Sequence, residues 1–190
     1  MQEFAADPAG GNMSTKTLLT YEEFLELPEP EAGYYELDEG ELIIVSPPKP
    51  KHGFICDKLI RRLADFVDAT GLGKIAPSVG FRLYGNVVRA PDVALISREQ
   101  MKDLDPDDYV DGAPALAIEV ISPTDSFEDI SKKVDQHLAG GALSVWIIIP
   151  KTRKVEIYGP NQDRIVLDNR EIITDPVLPG FSLRVSELFD

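Results

Sequence analysis

The sequence predicts a mixed α/β (α+β) fold, a mixed β-sheet with helices packed on it, and three observations lead there. From about Lys51 to Pro150 the order of patterns is helix, three strands, helix, strand. The strand–helix–strand run from Ala115 to Ile149 predicts a right-handed parallel crossover unit. The two strands before it meet at a tight Gly85-Asn86 turn and are therefore antiparallel. A sheet holding both kinds of pair is mixed, and its buried faces need helical cover.

In chain order, MQEFAADPAGGN has neither a basic start nor an apolar run. It reads as a disordered leader over residues 1–16, not a signal peptide, with Met13 as a candidate for the natural start. One domain is expected over 17–190. Thr20 caps a short helix, Glu23 completes its capping box and Pro28 stops it. Tyr34–Leu37 and Leu42–Val45 form a hairpin across Asp38-Glu39-Gly40. An amphipathic helix follows from about Lys51 to Ala69, with Ile55, Leu59, Leu63, Phe66 and Val67 on one face and Gly71 at its end. Strands are expected over Ser78–Tyr84 and Val87–Ile96, then a polar excursion over Arg98–Pro114 with one helical turn. After the strand Ala115–Ile121, a second capping box at Ser126–Asp129 opens a helix to Leu138, whose buried stripe is Phe127, Ile130, Val134 and Leu138. Leu143–Ile149 and Lys154–Tyr158 make another hairpin. Ile165–Leu167, Ile172–Ile173 and a short helix near Ser186–Phe189 finish the chain.

Composition narrows the function classes. No apolar run approaches the length of a membrane-spanning helix. The single cysteine, Cys56, permits no intrachain disulfide and fits a reducing cytoplasm. Net charge is −14, which argues against nucleic-acid binding by the whole surface. The excess is local, however: residues 17–48 carry nine acids and residues 103–111 five, with no Lys or Arg in either stretch. Outside them 33 − 14 = 19 acids face 19 bases, and Lys49, Lys51, Lys58, Arg61 and Arg62 form a basic cluster able to meet phosphate.

Two residues carry the chemistry. Asp92 interrupts the apolar run VVRAPDVALIS, and Glu119 sits inside the apolar strand ALAIEVIS. A carboxylate inside a buried strand is costly without a partner, and two on successive strands point to a shared divalent metal ion. Asp92 has a plainer reading, a turn residue bonding nearby amides.

An αβββαβ core with Pro-Asp on its second strand and Glu on its third resembles the PD-(D/E)XK nuclease superfamily. More narrowly, YYELDEGELIIVSPP, RAPDVALIS, AIEVISPTDSFEDISKKVDQHLAGGALSVWIIIP and VLPGF resemble the bacterial Uma-type family, described as restriction endonucleases. The resemblance covers nearly all of Thr17–Asp190. It implies a restriction-endonuclease-like fold and Mg²⁺-dependent (or Mn²⁺-dependent) hydrolysis of DNA, with Asp92 and Glu119 as metal ligands and Glu36 as an additional acidic ligand or orienting residue. It implies a homodimer as well. The alternative is a catalytically weak relative that serves as a binding or assembly module.

One departure matters. The superfamily places Lys two residues after the glutamate, where this chain has Ile121. The resembling family uses a helix lysine instead, and helix geometry favours Lys133, which borders the buried face beside His137, over Lys132, which points away. Lys133 would stabilise charge on phosphorus or orient water. His137 stands where the family often has Tyr and is expected to pack against Lys133 and the sheet edge. His52 is either a contact for substrate phosphate or a packing and capping residue of the first core helix. Lys133 is equally readable as a snorkelling boundary lysine, and Glu36 as one acid of a solvated face. Cys56 and Trp146 read as core.

Overall fold

The computed structural model describes residues 18–161 and 163–190, so the expected leader lies outside the described residues. Helix α1 (Tyr21–Leu25) has the anticipated box: Thr20 Oγ1 accepts from the Glu23 amide and the Glu23 carboxylate accepts from the Thr20 amide. Strands β1 (Tyr34–Asp38) and β2 (Glu41–Val45) pair antiparallel from Tyr34↔Val45 to Asp38↔Glu41. Only Glu39 and Gly40 lie between them, both at positive φ (53° and 89°). A two-residue loop of that hand matches strand twist, and glycine takes it without strain.

Helix α2 (Pro50–Thr70) buries Ile55, Leu59, Leu63 and Val67 and ends on a left-handed Gly71. Next come β3 (Gly73–Ala76), β4 (Phe81–Tyr84), β5 (Val87–Arg89), β6 (Val93–Ser97), the short β7 (Val110–Asp111) and β8 (Leu116–Val120). Helix α3 (Phe127–Ala139) opens on the Ser126–Asp129 capping box, followed by β9 (Ser144–Ile149) and β10 (Lys154–Tyr158). β11 (Arg164–Leu167), β12 (Ile172–Ile173), β13 (Leu183–Arg184) and a closing 3₁₀ turn complete the order.

The strands form two principal sheets, not one. The larger runs β11-β10-β9-β8-β6-β3, with β8 and β9 parallel and β6 antiparallel to β8. The second runs β2-β1-β5-β4-β7. The expected strand Val87–Ile96 is thus broken at Ala90-Pro91-Asp92, with one half in each sheet. Proline has no amide proton for a ladder, and the chain crosses between sheets there. The first core strand is β3, not Ser78–Tyr84, so the helix–three strands–helix–strand core is α2-β3-β6-β8-α3-β9.

These layers set the site. One face of the larger sheet (Val93, Leu95, Leu116, Ile118, Trp146, Ile148) packs on α2. Its other face (Ala94, Ala117, Val145, Ile147) packs with Val134 of α3 and with Phe81, Leu83 and Val87 of the second sheet. The second sheet's far side closes on α1 through Leu37, Val88, Tyr21 and Phe24. Helix α3 is therefore wedged between the two sheets. Phe127, expected in its buried stripe, is 78% exposed, because the first turn of α3 projects beyond the sheets. Gln136 and His137 are buried in its place.

Candidate active site

Strand alternation puts Tyr34, Glu36 and Asp38 on the face of β1 opposite Leu37, which turns them toward α3. Arg89 of β5 points the same way as Val87. Glu36 (1% exposed) and Arg89 (4%) are both buried. Arg89 Nη1 donates to Glu36 Oε2 at 2.9 Å, Nη2 pairs with Asp38 Oδ2 at 3.0 Å and Nε donates to Gln136 Oε1 at 2.8 Å. Glu36 Oε1 accepts the Ala90 amide at 3.0 Å. Both Glu36 oxygens are thus engaged, and one of them fixes the backbone just before Pro91-Asp92.

The larger sheet supplies the other carboxylates. Register pairs Val93 with Ile118, so Asp92, one step beyond the last pair, comes next to Glu119. Asp92 Oδ2 accepts the Val120 amide at 2.7 Å and bonds His52 Nε2 at 3.1 Å. Oδ1 is outside both bonds. Asp92 does hold a backbone amide, as its plain reading required, and it bonds a histidine as well. Glu119 receives Lys133 Nζ at 3.2 Å on Oε2 and His137 Nε2 at 3.3 Å on Oε1. Lys133 Nζ is also 4.0 Å from Glu36 Oε2, and so joins the two sheets' acids.

The adjacent lysine goes elsewhere. Lys132 Nζ pairs with Asp38 at 2.8 Å and Glu39 at 3.4 Å on the β1–β2 hairpin. Each lysine is followed four residues later by a side chain on the same partner: Gln136 donates to Asp38, and His137 bonds Glu119. Side chains four apart share a helix face, so one row of α3 serves each sheet. Lys133, Glu119 and Ile121 line one cleft together with Val120, Asp125 and Ile130. Lys133 thus lines the same cleft as Ile121.

Charge follows contact. Burial alone would raise the Glu119 carboxyl, but the Lys133 ammonium and the His137 bond hold it down, to about 2. Asp92 is raised by burial and by the Glu119 charge, against the opposing pull of His52 and the Val120 amide. His52 is pushed up to about 10 by its bond to Asp92, then by its contact with Cys56, against burial. Lys133 loses some basicity to burial and more than regains it from Glu119 and Glu36. The Tyr34 hydroxyl, 3.3 Å from the Ala90 carbonyl, is raised by burial and then by Glu36, Asp92 and Glu119 together.

Sequence reasoning missed Arg89, Gln136, Tyr34 and the place of His137. His137 is fully buried on Glu119, not at a sheet edge, and its Nδ1 has no partner among the described residues. A signal for Arg89 existed: a lone cation in VVRAPD raises the same question of a partner that Asp92 raises. Cys56, read as core, is half-buried with Sγ 3.5 Å from His52 Nδ1.

Among the described residues no helix is long and apolar enough to cross a membrane. No curated protein matches the chain. Among solved structures it is similar to a crystal structure from Anabaena variabilis titled as a putative nuclease belonging to DUF820. Identity is 24%, coverage is 90% of this chain and 97% of that one, and the TM-score is 0.80, a likeness that shows the shared fold. The family model described as "Uma2: Putative restriction endonuclease" matches residues 21–186. The chain belongs to the Uma2 family.

Proposed function

We propose that this chain is a divalent-metal-dependent nuclease that hydrolyses phosphodiester bonds in DNA, with Mg²⁺ (or Mn²⁺) held by Asp92 and Glu119. What supports the reading is the strand register that sets Asp92 next to Glu119, together with the Lys133 ammonium 3.2 Å from Glu119, since a binding module has no need of that grouping. Carboxylate oxygens suit a hard cation that keeps several waters. Glu36 fits an orienting role, because its hold on the Ala90 amide fixes the backbone two residues before Asp92 while its other oxygen is neutralised by Arg89. When bound, the ion polarises a phosphate oxygen and makes a water more acidic.

The chain's own residues do the rest. Lys133, kept charged by Glu119 and Glu36, is placed to stabilise negative charge on the phosphoryl group. His52, cationic at neutral pH through Asp92, is placed at the start of α2 to meet a substrate phosphate. Cutting both strands of a duplex calls for two such sites, and a two-fold dimer supplies them.

The test is a cleavage assay on plasmid and single-stranded DNA with Mg²⁺ or Mn²⁺, beside Asp92→Ala. Metal-dependent cleavage that vanishes with Asp92→Ala is expected. Equal cleavage by the variant removes Asp92 from the site, and no cleavage under any metal favours the binding-module alternative.

A further inference from the structure

Asp92 belongs to a second group of donors, of different chemistry. His52 and Cys56 are one turn apart on α2 and share a face. Cys56 Sγ lies 3.5 Å from His52 Nδ1, and His52 Nε2 lies 3.1 Å from Asp92 Oδ2. One ligand atom from each of the three lies within 4.8 Å of the other two. The His52 and Asp92 side chains are 17% and 18% exposed, so the group is sheltered yet open to an ion and to water.

We infer that His52, Cys56 and Asp92 form a binding site for a borderline divalent cation of the Zn²⁺ class. Bonds of about 2.0–2.3 Å in tetrahedral arrangement set ligand atoms roughly 3.4 Å apart. The present spacing reaches that by side-chain rotation that turns one His52 nitrogen from its neighbour to the ion. Sulfur, imidazole and a single carboxylate suit Zn²⁺ or Co²⁺ and suit Mg²⁺ poorly. A Zn²⁺ site with three protein ligands keeps its fourth position for water or a substrate atom. Binding is coupled to proton loss: the Cys56 thiol proton and the proton shared by His52 and Asp92 go to solvent. The two anionic donors offset the positive end of α2.

The overlap at Asp92 has a consequence. An ion held by His52 and Cys56 draws Asp92 away from Glu119, so Zn²⁺ and the Mg²⁺ proposed above exclude one another. Zn²⁺ thereby acts as an inhibitor. Binding itself does not depend on the nuclease reading and is measured without DNA.

The probe is Co²⁺ added to the full chain, reduced with a phosphine. Cys56 is the single cysteine, so any thiolate-to-Co²⁺ absorption in the near ultraviolet has one source. Wild type is expected to show that absorption at one equivalent, with visible bands of a four-coordinate ion, and Zn²⁺ should bleach both. Cys56→Ser should abolish the near-ultraviolet band, and Glu119→Gln should keep it. His52→Ala and Asp92→Ala should each weaken Co²⁺ binding by on the order of tenfold or more, since even outer partners of a metal ligand are worth that much. As a check on the unaltered chain, Zn²⁺ should protect Cys56 from alkylation until a chelator is added. Absence of the band in wild type, or its full strength in both His52→Ala and Asp92→Ala, overturns the site.

Discussion

Two ionic clusters meet at Lys133, and they differ in how completely their charges are answered. On the second sheet, Arg89 spends three nitrogens on Glu36, Asp38 and Gln136, and Glu36 spends both oxygens. That cluster is closed, with Glu36 and Arg89 both buried. On the larger sheet both Glu119 oxygens are engaged, by Lys133 and His137, but Asp92 keeps an oxygen outside its two bonds, its side chain is 18% exposed, and Glu119 and Lys133 line a small cleft. Closed ionic networks hold structure together, whereas open ones have capacity to bind. The closed cluster positions the open one, since Glu36 grips the Ala90 amide two residues before Asp92.

The largest effect expected tests the closed side. Arg89→Ala leaves Glu36 buried without its cation and should cost about 3–5 kcal/mol, read from urea unfolding. A loss within experimental error of zero would make this network no more structural than its neighbour.

Next is the open side. Lys133→Ala should slow cleavage by roughly 10² or more, the scale for loss of a charge-stabilising group, and should lower stability as well, since the buried Glu119 loses its ammonium partner. Lys132→Ala, one residue away on the hairpin's row, should leave the rate nearly unchanged. Equal rate losses would mean that the two rows of α3 do not serve different sheets.

pH separates the two partners of the open cluster, in metal-free protein. Glu119 is held below its ordinary value, to about 2. Its contribution is therefore present above pH 4.5 and fades as pH falls toward 2. His52 is raised to about 10, so its contribution is complete below about pH 6.5 and fades as pH climbs to 10. Denaturation of Glu119→Gln should thus differ from wild type at pH 7 and converge with it near pH 2. The gap for His52→Ala should instead shrink between pH 6.5 and 10. Gaps that stay constant across both windows would show that neither pairing persists in solution. The smallest effect is Lys132→Ala on stability, within about 1 kcal/mol, because its pairs with Asp38 and Glu39 are solvent-screened.

Much of this was legible in the sequence, and the gaps have physical causes. Local signals carried the caps at Thr20 and Ser126, the Glu39-Gly40 turn, the left-handed Gly71 and the parallel β8–β9 pair. The choice of Lys133 over Lys132 rested on helical periodicity alone, and the two lysines do take different partners. Strand β3 was missed because four residues following Gly71 give too short a pattern to register as alternation. The split at Ala90-Pro91-Asp92 was hidden because apolar residues lie on both sides, though each half belongs to a different sheet. Arg89 is 53 residues from Glu36 and 47 from Gln136 along the chain, and no local pattern joins them. Phe127 misled because an apolar residue at the right helical phase is buried only if something covers that turn.

The most direct test is the metal response of thermal unfolding. A ion that binds only the folded state raises the melting temperature with concentration. Mg²⁺ or Mn²⁺ should raise it in wild type and in Lys132→Ala, and should fail to raise it in Glu119→Gln. An equal rise in Glu119→Gln would contradict the assignment of the open cluster as the metal site.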